Sequence, residues 1–176
     1  MNTQNKNTVN SQMMTDLLKN TTEMFYYLAI LKALSSEYLI LFGVRDTPGR
    51  KMPPSMIQQI HELGFSNFKQ KTWLMYAGIM YKSEVVLNQS GEEAEIPVFY
   101  ECDINGCHIE ISSSSYRKEN RSSILINGND YSLNRRGVNI VVYDVENHEL
   151  IDSIAFDSFN IWHILQKNFA RTVQKK

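Results

Sequence analysis

Two cysteines and four histidines are the side chains here best suited to nucleophilic or metal chemistry, and their spacing limits what they can do. Cys102 and Cys107 flank Asp103-Ile104-Asn105-Gly106, which reads as a hairpin turn able to bring the thiols opposite each other. A bridge is geometrically allowed, although such a pair more often serves as two small apolar residues. His108 follows Cys107 directly, so a strand points the two to opposite faces and the trio makes a poor zinc site. His61 lies beside Glu62 in a helical run, His148 in a turn and His163 near the chain's end, so the histidines form no cluster in sequence. No nucleophile with base and orienting acid stands out, nor a glycine-rich phosphate loop or paired-carboxylate context. The chain therefore reads as non-catalytic, with no cofactor. Ser112 to Ser115 with Arg117 and Lys118 has the residue types for an anionic ligand, but reads more simply as a solvated turn. The sequons at Asn20, Asn88 and Asn120 carry little weight without an export signal.

These residues must be positioned by a chain of 176 residues, enough for one domain with a real core. Eighteen basic and nineteen acidic residues give a net charge of -1, so no global field draws the chain to nucleic acid or an anionic membrane. No apolar run approaches the roughly 18 residues of a spanning helix, and the start is Asn- and Thr-rich. As written, the expectation is a cytoplasmic chain with no membrane insertion.

Residues 1–11 are polar and read as a disordered tail. From Gln12 to Leu34, Met13, Leu17, Leu18, Met24, Phe25, Leu28, Leu31 and Leu34 recur at helical spacing, with a break near Asn20-Thr21-Thr22. Tyr38 to Val44 reads as a buried strand ended by Asp46-Thr47-Pro48-Gly49. Pro53-Pro54 opens a helix carrying Met56, Ile57, Ile60 and Leu63 until Gly64 stops it. Thr72 to Tyr81 is aromatic and β-favouring, and the polar, acidic residues 88–95 read as a linker. Beyond it come a hairpin of Val98 to Cys102 with Cys107 to Ile111, an exposed turn over 112–119 and a strand ending at Ile126. Asn127-Gly128 turns that strand, and a hairpin of Val138 to Tyr143 with Leu150 to Phe156 follows. Ile161, Ile164, Leu165, Phe169 and Val173 give residues 161–176 an amphipathic helical stripe.

Several blocks of this pattern resemble the interleukin-like EMT inducer (ILEI) domain, also described as PANDER-like. The second half carries Ile126-Asn127-Gly128, Arg136-Gly137-Val138-Asn139-Ile140-Val141-Val142 and Ile151-Asp152-Ser153-Ile154-Ala155-Phe156-Asp157, which look like the domain's opening portion. The first half looks like its closing portion. It has a helix ending in Leu31-Lys32-Ala33-Leu34, then Tyr38-Leu39-Ile40-Leu41-Phe42-Gly43-Val44-Arg45-Asp46, Leu63-Gly64, and Thr72-Trp73-Leu74-Met75-Tyr76-Ala77-Gly78. The halves are thus reversed from the usual order. Either the chain is a circular permutant, with 12–87 as back half, 88–95 as linker and 96–160 as front half of one domain, or it offsets two repeats that complete each other between copies. Permutation is cheap where termini lie close together, and is favoured.

The resemblance implies an α+β fold: two antiparallel or mixed β-sheets packed as a small sandwich and flanked by short helices. It also implies a non-catalytic carbohydrate-recognition module that binds a glycan or glycoconjugate. The alternatives are a protein-interaction or self-assembly module and, more remotely, an enzyme or an accessory domain of a glycosyltransferase system. In sugar-binding relatives the Arg immediately before the Gly of the Arg-Gly strand entry and the Asp at the end of the Val-x-Asp strand contact the sugar, and these map to Arg136 and Asp46. A further Arg is replaced here by Gln70 or Lys71, which changes the donor set. A carboxylate accepting from vicinal hydroxyls and a guanidinium donating as a planar fork suit this task without a metal. Trp73 is the candidate platform, although a half-buried strand would make it a core aromatic. Arg135, Asn139 and Arg45 are flanking candidates, and Asp157 reads as the N-cap of a helix near Asn160.

Overall fold

The computed structural model describes residues 23–47, 52–91 and 96–158. The expected tail over 1–11, the helical run before residue 23 and the closing stripe at 161–176 lie outside the described residues. Helix α1 (23–34) leads into β1 (Leu39–Arg45); α2 (Pro54–Glu62) follows, then β2 (Met75–Tyr81) and β3 (Glu84–Gly91). The chain continues through β4 (Val98–Ile104), β5 (Cys107–Ser113), β6 (Ser122–Ile126), the short β7 (Asn129–Asp130), β8 (Gly137–Asp144) and β9 (Glu149–Phe156).

Two sheets result, one of order β3-β2-β1-β8-β9 and one of order β4-β5-β6-β7. All pairings are antiparallel. β1 lies beside β8 within the one chain, with Leu39 opposite Tyr143 and Arg45 opposite Gly137. This is the pairing that a permuted single domain requires and that an array completed between copies would make in trans.

Strand alternation sorts β1 between two cores. Ile40, Phe42 and Val44 face a layer of helix residues including Met24, Leu28, Met56 and Ile60. Leu39 and Leu41 face Ile109, Ile111 and Ile124 of the second sheet. The layers are therefore helices, five-stranded sheet, four-stranded sheet. In the helix-side core Phe42, Phe68 and Tyr76 meet edge to face, with centroids 5.7 Å (Phe42 to Phe68) and 5.2 Å (Phe68 to Tyr76) apart. Each such pair contributes about 0.5–1.5 kcal/mol beyond its buried area.

Some sequence expectations fail for local reasons. Phe25, assigned to the core stripe of the first helix, points outward at 40% exposure, because Met24, Leu28 and Leu31 already fill the helix's inner face. Thr72 and Trp73 are not in a strand: β2 begins at Met75, and Trp73 sits in a turn at φ 57°. Asn88 to Gly91, expected to begin the linker, complete β3. That strand escaped notice because its hairpin turns on Lys82 and Ser83, both at positive φ (51° and 61°) although neither is the usual Asn or Gly. Ser113, Ser114 and Ser115 are buried rather than solvated, and only Tyr116 to Glu119 form the exposed part of that turn.

Candidate functional site

The ends of β1, β5 and β9 and the starts of β2, β6 and β8 meet at one pole of the sandwich. The β1–β2 ladder stops short there for an identifiable cause. The β1–β2 ladder is paired through Gly43 and Ala77; the next rung would join Val44 to Tyr76. The fully buried Ser113 inserts its hydroxyl into that rung, donating to the Val44 carbonyl at 2.5 Å and accepting from the Tyr76 N–H at 3.0 Å. The strands diverge beyond this wedge. Both backbone groups stay satisfied, as burial demands.

Past the wedge β1 ends in a tight turn: the Thr47 N–H donates to the Arg45 carbonyl at 2.9 Å, and Asp46 between them sits at φ 68°. Asp tolerates this left-handed backbone better than most residues. The Thr47 hydroxyl donates to Asp46 Oδ1 at 3.1 Å and accepts from the Trp73 N–H at 3.3 Å, tying the end of β1 to the turn before β2. Trp73 is half-buried, and the Arg117 guanidinium lies over its ring, 4.2 Å from the centroid. One ring face is thus taken by a cation, which neither the platform reading nor the core-aromatic reading anticipated.

The start of β8 is shaped by Asn139 and Gly137. Asn139 is fully buried; its Oδ1 accepts from the Arg135 N–H at 2.9 Å and its Nδ2 donates to the Arg135 carbonyl at 2.8 Å. It holds the bend that presents Arg135 and Arg136, so it positions the site instead of lining it. Gly137 adopts φ 97°, and a Cβ there would lie 2.2 Å from the Phe156 carbonyl oxygen. Only glycine fits.

Arg136 forms a fork with Asp157, Nε to Oδ1 at 3.1 Å and Nη2 to Oδ2 at 2.5 Å. That fork holds the guanidinium's pKa above its ordinary value against a lowering by desolvation, and the charge of Asp46 raises it further. Asp46 and Arg136 are therefore within electrostatic reach, as the antiparallel pairing of Arg45 with Gly137 requires. Asp157, read as the N-cap of a helix that lies outside the described residues, holds Arg136 through two hydrogen bonds. No sequence signal marked it, since only the pairing of Val138 with Phe156 brings the residues after β9 beside those before β8.

Gln70 is exposed and donates from Nε2 to the Met52 carbonyl at 2.8 Å, so its amide braces a loop. Lys71 is half-buried two residues before Trp73. Arg45 turns away from Asp46, as alternation predicts, and donates from Nη1 to the Asn134 carbonyl; its Nε is buried without a hydrogen-bond partner.

At the opposite pole Cys107 and His148 meet, Sγ to Nδ1 at 3.3 Å, a contact across 41 positions that the separate motifs did not suggest. Burial pushes the Cys107 thiol up, against a lowering by a hydrogen bond from Asn127, so it is not a ready thiolate. Both cysteines are free: Cys102 lies opposite Ile109, and Cys107 opposite Ile104. His108 points outward to Asp103 at 2.9 Å, away from Cys107. Among the described residues no group of three or more His, Cys, Asp or Glu side chains is placed to hold a metal, and no helix is long and apolar enough to cross a membrane. The Asn88 sequon is structurally engaged: Oδ1 accepts from the Tyr76 hydroxyl at 2.8 Å, and Nδ2 donates to Ser66 Oγ at 3.0 Å.

The fold and site together define a mostly β protein of two antiparallel sheets backed by helices, with polar and cationic side chains at one pole among the described residues. Compared with family models, curated proteins and solved structures, the chain matches none.

Proposed function

We propose that the chain is a non-catalytic carbohydrate-recognition module of the ILEI type, circularly permuted, which binds a glycan or glycoconjugate at the pole carrying Asp46 and Arg136. One observation carries the reading. Two residues 90 positions apart in sequence, singled out by the resemblance, are brought to adjacent strand ends by the β1–β8 pairing. Asp46 offers carboxylate oxygens to vicinal hydroxyls, while Trp73 under Arg117 walls the same opening. The two departures, Gln70 and Lys71 in place of an Arg and the closed Arg136–Asp157 fork, argue for a different sugar preference. The test is a glycan array with the intact chain. Binding should occur and fall at least tenfold in both Asp46→Ala and Arg136→Ala; unchanged binding in both variants, or none with the intact chain, refutes the reading.

A second reading, a protein-interaction or self-assembly module, is favoured by the exposed Phe99 on edge strand β4 and by Leu150 and Ile151 on edge strand β9. Light scattering across a concentration series separates the two. Oligomers that vanish on deleting residues 161–176 would support self-assembly.

A further inference from the structure

We infer that this pole selects an anionic saccharide, one bearing carboxylate or sulfate groups, over a neutral one; the inference rests on the glycan reading above. The observation is where the cations lie. Among the described residues Lys32 pairs with Glu62 at 4.0 Å beside the helices, and Lys82 pairs with Glu146 at 3.7 Å at the far pole. Every other described Lys or Arg belongs to the segments that meet at the site pole. Arg136 and Arg121 there are matched by Asp157 and Asp130. Arg45, Arg117, Lys118 and Arg135 have no ion-pair partner among the described residues. The far pole carries Glu37, Glu84, Asp103, Asp144 and Glu146. Among the described residues the charges thus form a dipole whose positive end is the pole of the candidate site, although Asp46 and Glu119 lie there too.

The geometry suits an oxyanion on a sugar. The Arg117 guanidinium lies over the Trp73 ring, and its planar fork matches carboxylate or sulfate in two parallel hydrogen bonds. The Arg45 guanidinium is anchored by Nη1 on the Asn134 carbonyl and contributes its charge to this pole. Asp46 in their midst disfavours a dense run of phosphates but accepts from hydroxyls, so a ligand that mixes hydroxyls with isolated anionic groups satisfies both signs of charge.

The experiment presents the intact chain with neutral N-acetylhexosamine, uronate-bearing and sulfated oligosaccharides, and with single-stranded DNA. Retention on one or both acidic glycan arms should exceed the neutral arm at least tenfold, fall as salt is raised, and drop at least tenfold in Arg117→Ala and Arg135→Ala. Both side chains are exposed, so these variants should fold, and circular dichroism verifies it. Lys82→Ala, at the far pole, should bind as the parent does. The uronate and sulfate arms identify which anion is read. Equal retention on neutral and acidic arms overturns the anionic preference while leaving the glycan reading intact. DNA retention matching the acidic glycans, or an equal loss in Lys82→Ala, also overturns it. No retention on any glycan removes both.

Discussion

Replacing Ser113 with alanine tests the wedge that opens the site. The hydroxyl satisfies two backbone groups at once, the carbonyl of Val44 and the N–H of Tyr76, and all three residues are fully buried. Without it, water cannot reach either group. Each unsatisfied group costs about 1–3 kcal/mol, and the carbonyl falls at the lower end because it has a second lone pair, so the loss should be about 3 kcal/mol. For a domain of this size that lowers Tm by about 6–12 °C. Urea unfolding followed by circular dichroism should show the midpoint falling with the slope unchanged, since the surface exposed on unfolding stays the same. The alternative is that β1 and β2 close and form the missing rung themselves. Stability would then change by less than about 0.5 kcal/mol. That outcome would refute the claim that Ser113 holds the strands apart, and with it the account of how Asp46 and Trp73 come to flank an opening.

Gly137→Ala should destabilise by at least about 2 kcal/mol in thermal melts, because the methyl meets the Phe156 carbonyl oxygen and the backbone is left-handed; a neutral effect would contradict the close approach of β8 and β9. Arg117→Ala should change stability by less than about 1 kcal/mol, as expected for an exposed cation–π pair. Its fluorescence spectrum should nevertheless differ from the parent's, since Trp73 loses its cover; an identical spectrum would contradict the stacking. His108 should titrate above an ordinary histidine, raised chiefly by its hydrogen bond to Asp103 against a lowering by desolvation, with the charges of Asp103, Glu110 and Glu101 adding. With the folded pKa above the unfolded one, its contribution is complete below the unfolded value and fades as pH rises through the folded value. An NMR titration should find the shift smaller in Asp103→Asn. Native-state alkylation should modify the half-buried Cys102 faster than the buried Cys107, on accessibility alone since burial pushes both thiols up, and unfolding should release two free thiols; a protected pair would contradict the register of β4 and β5.

Local chemistry made much of the fold legible in the sequence. Asn105-Gly106 and Asn127-Gly128 occupy hairpin turns at positive φ, Pro53 and Pro54 open α2, and alternation set the inner face of β5. β3 remained hidden because its turn residues, Lys82 and Ser83, carry no turn signature and its inward side chains gain their meaning only beside β2. The buried serines were misread for a related reason: hydroxyls read as solvated until a neighbouring strand supplies backbone partners, as Val44 and Tyr76 do for Ser113.

Residue types alone pointed to most of the strands and helices, though not to β3 or the start of β2, and to an Asp and an Arg worth comparing. Tertiary structure alone decided that Asp157 grips Arg136, that Arg117 covers Trp73, that Asn139 serves the backbone, and that, among the described residues, Arg45, Arg117, Lys118 and Arg135 lie at one pole without an ion-pair partner. The physical reason is that turns and periodicity act over a few residues, whereas charge and hydrogen-bond partners are set by distances in space, and here the β1–β8 and β8–β9 pairings set them.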